Sequence, residues 1–359
     1  MRAAAPSLSL LSLLAALALA FADPLQASER KGRYYGAKET EYPDWFKTSF
    51  LDFKEDVAEA AAEGRRVMII FHQKGCPYCN ALVERNFAQK DIVDYTRRHF
   101  DAIGINMWGD REVTWIDGKA YTEKTFAAML RVQFTPTILF LDEEGRVVLR
   151  LNGYWPPERF RLALQYVAER LERRRPFREW LAERMPQASS GRLIPEDFFA
   201  PPPYDLSPSG RPAGRPFAVF FEQRHCPACE TLHRKVLPDP SVREAIRPFH
   251  VIQLDMWSDT PVVTPDGRRT TAREWAKALD VKYAPTIVLF APDGREVIRS
   301  EAFFKVFHTG GLFEYVASGA WREQPSFQRF LSARAERWRE QGRDVDIWRY
   351  ADEPVGAGG

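Results

Sequence analysis

Five consecutive apolar residues, Val67-Met68-Ile69-Ile70-Phe71, are matched 150 positions later by Phe217-Ala218-Val219-Phe220-Phe221. Unbroken hydrophobicity over so short a run predicts a strand buried on both faces. Second apolar runs, over 102–108 and 250–257, end on the same Met-Trp pair. Third runs over 138–141 and 287–290 pass through short Gly turns into 146–151 and 296–300, which predicts a hairpin. Helical spacing is expected over 80–87 and 230–236, after Thr122 and Thr271, and over 157–172. A shorter counterpart of that last helix is expected near 312–318. Thr271-x-x-Glu274 reads as a capping box. The chain thus repeats strand, helix, strand, helix, strand, strand, helix. Early alternation implies parallel pairing through crossover helices, and the hairpin adds antiparallel strands. The fold class is α/β: two tandem units, each a central mixed β-sheet flanked by helices.

Three stretches fall outside this pattern. Over 44–63, Phe50, Phe53 and Val57 share one helical face, predicting an amphipathic helix belonging to the first unit. Residues 186–216 contain eight prolines and few apolar runs, the composition of a linker. Residues 321–344 predict a C-terminal helix packed on the second unit. The organisation expected is a first domain over 34–175, a Pro-rich linker over 176–215, and a second domain with its helix over 216–345.

The first 22 residues differ from the rest. Arg2 is their one charge, residues 8–19 are almost wholly Leu, Ala and Ser, and Ala20-Phe21-Ala22 precedes Asp23. That is the pattern of a secretory signal peptide cleaved near Ala22. Its apolar stretch is short against the roughly 20 residues of a spanning helix. A periplasmic or secreted chain with no stable membrane span after cleavage is expected. With 51 Lys and Arg against 49 Asp and Glu, the chain lacks the basic excess of a nucleic-acid binder.

Export changes how the four cysteines are read. They stand as Cys76-Pro77-Tyr78-Cys79 and Cys226-Pro227-Ala228-Cys229, each at the end of an apolar strand. A disulfide across so few residues restrains the unfolded chain little, so a structural role is a poor account of them. A thiolate, not a thiol, attacks a disulfide. A helix N-terminus offers unpaired amides and a partial positive charge that favour the thiolate. Cys76 and Cys226 are the expected attackers; Cys79 and Cys229, one turn on, are placed to resolve a mixed disulfide. Pro77 and Pro227 suit the first helical turn, where no amide donor is needed. Pro136 and Pro285 follow the leading cysteines by 60 and 59 residues. With Thr135 and Ala284 before them, they are expected as cis prolines that set backbone against the cysteines for substrate pairing.

Strand, C-x-x-C, helix, then Thr-Pro or Ala-Pro before a strand resembles the thioredoxin superfamily. Within it, GCPYC with INMWGDREVTWIDGKAYTEKTFA and FTPTILFLDEEG is similar to the SoxW-type periplasmic thioredoxins over about 34–170. HCPAC, LDMWSD and YAPTIVLFAPDG carry a looser likeness over about 204–320. The resemblance implies thiol–disulfide exchange through redox-active disulfides Cys76–Cys79 and Cys226–Cys229, with no other cofactor and no metal. It implies protein disulfides as substrates and an upstream thiol reductant, for which a membrane thiol–disulfide transporter is one source. The sequence departs from cytoplasmic thioredoxins in two ways. Pro-Tyr and Pro-Ala replace Gly-Pro between the cysteines, and Ile70 and Phe220 stand where a buried acid is usual. Glu222 is a candidate replacement for that acid, and His225 for tuning Cys226.

Other readings stay open. An isomerase or oxidase would use the same residues in another direction. A non-catalytic module could hold a partner or a metal, for instance one pair with His72 or His225 on a soft ion. A shared four-cysteine zinc site would have to join pairs 150 residues apart. Trp108 and Trp257 are expected near the cysteines, and Tyr78 is expected on the surface, facing a partner. Two intact motifs also suggest that electrons pass from one pair to the other.

Overall fold

A computed structural model describes residues 30–185, 192–301 and 304–357; the expected leader lies outside them. The first half comprises β1 (Tyr34–Tyr35), α1 (Phe53–Ala62), β2 (Arg66–His72), α2 (Pro77–Ala81), α3 (Lys90–His99), β3 (Phe100–Asn106), β4 (Glu112–Thr114), β5 (Ala120–Thr122), α4 (Glu123–Met129), β6 (Thr137–Leu141), β7 (Val147–Asn152), α5 (Pro157–Ala168) and α6 (Phe177–Arg184). The second half comprises β8 (Tyr204–Asp205), β9 (Phe217–Glu222), α7 (Pro227–Lys235), α8 (Pro240–Ile246), β10 (His250–Asp255), β11 (Pro261–Val263), β12 (Arg269–Thr271), α9 (Ala272–Ala278), β13 (Thr286–Phe290) and β14 (Glu296–Ser300). It ends with α10 (Val306–Ala317), α11 (Phe327–Glu340) and β15 (Val345–Asp346).

Each half builds a four-stranded sheet, β3-β2-β6-β7 and β10-β9-β13-β14. β2 runs parallel to β3 and antiparallel to β6, and β9 repeats this with β10 and β13. The central strands are buried on both faces. Met68 and Ile70 join a cluster with Phe140 and Phe160, while Val67, Ile69 and Phe71 join another with Phe126 and Leu139. That two-sided burial is why β2 and β9 read as unbroken apolar runs.

Several elements differ from the sequence-based expectation. α1 starts at Phe53, capped by Asp52, whose side chain accepts from the amides of Lys54 and Glu55. Phe50 therefore lies outside the helix and is fully exposed. α3 and α8 are additional helices, and the Asp-Gly turns sit in the small hairpins β4–β5 and β11–β12. α2 continues as a π-helical turn over Leu82–Asn86. α10 is 12 residues long, the same as α5, rather than a short remnant.

The stretch expected as a linker carries structure. Its N-terminal part forms α6, and β8 pairs in parallel with β11. Phe199 bridges to Val251, and the Ile194 carbonyl accepts from Gln253, so the segment from Ile194 to Asp205 lies along the second half. The segments after the two sheets correspond: α5 and α6 in the first half, α10 and α11 in the second. α11 thus belongs to the repeat rather than lying outside it.

The halves are packed against each other through equivalent positions. Asn152 Nδ2 donates to Glu301 Oε2 at 2.7 Å; Asn152 ends β7 and Glu301 directly follows β14. On one side of that contact, the Phe134 and Phe304 rings lie 5.1 Å apart; on the other, Trp155 and Tyr283 lie 4.6 Å apart. These pairs relate the halves by a rough twofold axis. The chain ends join as well, with β1 parallel to β15.

Candidate active site

Each strand-to-helix junction delivers a cysteine to the start of a helix. Cys76 is the residue before α2 and Cys226 the residue before α7, with proline next in both. The Cys79 amide donates to Cys76 Sγ at 3.0 Å, and the Cys229 amide donates to Cys226 Sγ at the same distance. Each sulfur thus faces an amide that the helix leaves unpaired. Both pairs form disulfides, with Cα atoms 5.3 Å apart for Cys76–Cys79 and 5.1 Å for Cys226–Cys229.

The Thr135–Pro136 and Ala284–Pro285 peptide bonds are cis. Thr135 Oγ1 donates to Cys76 Sγ at 3.3 Å, which places the loop before β6 directly on the leading sulfur. Ala284 has no hydroxyl, so the second site lacks this donor. Thr137 and Thr286 pin the two loops, each hydroxyl donating at 2.8 Å to the carbonyl of Phe134 or Tyr283.

The chain belongs to the thioredoxin-like domain family. The family model matches twice, over residues 53–168 and 211–305. No curated relative matches the chain. Similar solved structures include a thioredoxin-fold protein from Helicobacter pylori, 24% identical, covering 37% of this chain and 90% of its own, with TM-score 0.28. A thioredoxin from Thermus thermophilus is 24% identical, covering 38% of this chain and 87% of its own, with TM-score 0.26. The oxidised C-terminal domain of Neisseria meningitidis DsbD is 14% identical, covering 34% of this chain and 93% of its own, with TM-score 0.24.

The two thioredoxin-like domains differ behind their cysteines. Glu222, four residues before Cys226, is fully buried, and its carboxylate meets His233 Nε2 at 2.9 Å and Gln253 Nε2 at 2.9 Å. His233 Nδ1 meets Glu196 at 2.9 Å. Burial opposes charge on His233, but the bonds to Glu222 and Glu196 outweigh it and raise its pKa. The position equivalent to Glu222 is His72 in the first domain. Burial lowers its pKa to about 4, and its ring lies 4.5 Å from that of Tyr42. His225 is exposed and lines the cleft at Cys226. Among the described residues, no group of three or more His, Cys, Asp or Glu side chains is placed to hold a metal ion.

Tyr78 overturns the expectation of a surface residue. It is 3% exposed, and its contacts come from the second domain. The Lys305 amide donates to its hydroxyl at 3.0 Å, and the rings of Phe304, His308 and Trp348 surround it. Pro77 is buried with it, whereas Pro227 is exposed and Ala228 half-buried.

Two glutamines of the motifs also belong to the sites. Gln73 and Gln223 each stand three residues before the leading cysteine. Gln73 Oε1 accepts from the Trp108 indole at 2.8 Å, and Gln223 Oε1 accepts from Trp257 at 3.0 Å. Their shared offset, alongside the shared Met-Trp, was the available signal. Each tryptophan is in turn covered by an arginine of the opposite domain: Arg329 at 4.9 Å over Trp108 and Arg178 at 4.3 Å over Trp257.

Proposed function

We propose that the protein is a thiol–disulfide oxidoreductase that reduces disulfides of partner proteins through both Cys-Pro-x-Cys sites. The observation that supports it best is the amide-to-sulfur contact at the helix start, made identically at Cys76 and Cys226. Donors aimed at a sulfur stabilise it as thiolate, the form that attacks and the form that leaves.

In the reduced state, the Cys76 thiolate attacks one sulfur of the partner disulfide. The partner S–S bond breaks, and one partner thiolate leaves and takes up a proton. Cys79, as thiolate, then attacks Cys76 Sγ; the mixed disulfide breaks and the second partner thiol is released. Two electrons have passed from the cysteine pair to the partner, and the Cys76–Cys79 disulfide remains. An upstream dithiol returns it to the reduced state by the same exchange in reverse. Cys226 and Cys229 carry the second site through the same steps. Thr135, Pro136, Ala284 and Pro285 would position the partner segment. The SoxW-type motif likeness supports placing this chemistry in the periplasm, after export on the leader ending near Ala22. The expected domains over 34–175 and 216–345, the first extended by α6, would be its two catalytic units.

The test uses dithiothreitol as reductant and bis(2-hydroxyethyl) disulfide, a small dialkyl disulfide whose poor leaving thiol keeps the uncatalysed exchange slow, as acceptor. Catalysed exchange is expected, with loss in the Cys76→Ala plus Cys226→Ala double variant. Cys79→Ala and Cys229→Ala are expected to accumulate mixed disulfides that mass spectrometry detects. Exchange no faster than with dithiothreitol alone would overturn the reading.

A further inference from the structure

Both reactive turns are covered, and by the opposite domain in each case. Cys76 and Cys226 are each only 4% exposed. At the first site, α11 lies across the loop before Pro136. The Phe327 amide donates to Gln133 Oε1 at 2.9 Å, Gln328 Nε2 donates to the Gln133 carbonyl at 3.0 Å, and Gln73 Nε2 donates to Gln328 Oε1 at 2.7 Å. The approach to the loop before Pro136 is therefore already occupied from within the chain. At the second site, α6 plays the same part. Arg178 donates to the Met256 carbonyl at 3.2 Å and stacks on Trp257, and Leu181 lines the cleft at Cys226.

The remaining space is small. The cleft at Cys76 has a volume of about 110 Å³ and that at Cys226 about 20 Å³. One water needs about 10–15 Å³ by this measure, so the first admits a small thiol and the second little more than water. A larger cavity of about 750 Å³ lies between the domains, touched by Tyr78 from one site and Ala228 from the other, but neither leading cysteine lines it.

Resting on the redox reading above, we infer that the two domains are reciprocal covers: in the closed enzyme small thiols and disulfides reach Cys76 alone, and protein disulfides are served at either site only after the domains part. The substrate class is thereby set by domain opening rather than by the cysteine chemistry, which is nearly the same at both sites. A site competent only in an open minority reacts with large partners in proportion to that minority.

The first measurement needs no variant. The reduced full chain is alkylated with free maleimide and with maleimide carried on a small folded protein, and both rates are normalised to those of the urea-unfolded chain. Closure predicts that folding slows the protein-borne reagent about tenfold more than the free one, the open fraction entering only the former rate. Equal slowing of the two reagents overturns the proposal. The second measurement compares insulin reduction with reduction of the small disulfide. Arg178→Ala plus Gln328→Ala removes contacts spent on the opposite domain, and Phe304→Asp puts a charge in the interface. Opening predicts that the insulin-to-small-disulfide ratio rises about tenfold in a variant whose radius of gyration has grown. An unchanged ratio in such an enlarged variant also overturns it. Size-selective alkylation without exchange of either disulfide would instead sink the redox reading and leave the closure intact.

Discussion

Cys76 and Cys226 start equivalent helices and accept equivalent amide bonds, and Cys76 also receives the Thr135 hydroxyl where the second site has Ala284. The Thr135 bond at 3.3 Å is to an atom that carries charge when reduced. Hydrogen bonds to charged groups are worth about 1.5–3 kcal/mol, and 1.36 kcal/mol corresponds to one pH unit. Thr135→Ala should therefore raise the pH midpoint of Cys76 alkylation by roughly one unit or more while leaving that of Cys226 in place. Equal midpoints before and after the change would show that the hydroxyl is a packing group only. Behind Cys226, the buried pair of Glu222 and His233 makes a different demand. Removing the imidazole leaves a carboxylate without its partner inside the protein. His233→Leu should cost about 3–5 kcal/mol in urea unfolding, the usual cost of breaking a buried pair. Because the His233 pKa is raised on folding, its contribution is complete below the ordinary histidine value near 6.5 and is lost as pH rises through the folded value. The difference between His233→Leu and the parent should accordingly shrink as pH rises from 6 to 9, and an increase would contradict the assignment.

α11 shows how one element links folding to the reactive site. Its N-cap Ser326 accepts from the Arg329 amide, and its first turn supplies Phe327 and Gln328 to Gln133. Ser326→Ala should cost about 1 kcal/mol of stability. Because the frayed turn is the one covering Cys76, alkylation of Cys76 should accelerate relative to Cys226; equal acceleration would detach the cap from the cover. The sequence made this helix visible through its aromatic residues but not its target. The central strands were legible because burial on both faces writes itself into consecutive residues. α3 was not, since only Ile92 and Thr96 of its ten residues are buried, too few to mark a face. The three-residue strands of β4–β5 and β11–β12 are likewise too short to show alternation. α6 was masked by the proline-rich composition around it, although Phe177, Trp180 and Leu181 follow helical spacing. Both cysteine pairs, and Pro136 and Pro285 ahead of their strands, could be located in the sequence; the cis Pro202–Pro203 bond carried no such signal. What surrounds Tyr78 could not, because its partners lie 226–270 residues away along the chain.

At the scale of the whole molecule, the interface around Tyr78 joins closure to acidity. His308 sits against the Tyr78 hydroxyl at 3.5 Å and between the Phe304 and Phe307 rings. Burial, followed by the nearby Arg334 charge, lowers its pKa to about 3. Tyr78 is pushed the other way by burial, so that hydroxyl stays neutral, and Arg334 is the cation that His308 faces from α11. In the closed chain the imidazole is neutral. Parting the domains would wet the face of His308 that meets Tyr78 and return its pKa toward the ordinary 6.5. The open form then binds a proton that the closed form refuses, between about pH 6.5 and 3. Closure is therefore fully supported above 6.5 and weakens as pH falls, by up to about 1.4 kcal/mol per pH unit. Thiolate chemistry also slows in acid, but it does so for every acceptor, so the ratio of insulin to small-disulfide reduction isolates the opening step. That ratio should climb about tenfold between pH 7 and 5.5. It should stay flat in His308→Gln, which keeps a polar group beside Tyr78 but cannot take up the proton. A flat ratio in the parent chain would mean that the domains part without wetting His308, and the acid-linked opening would have to be given up.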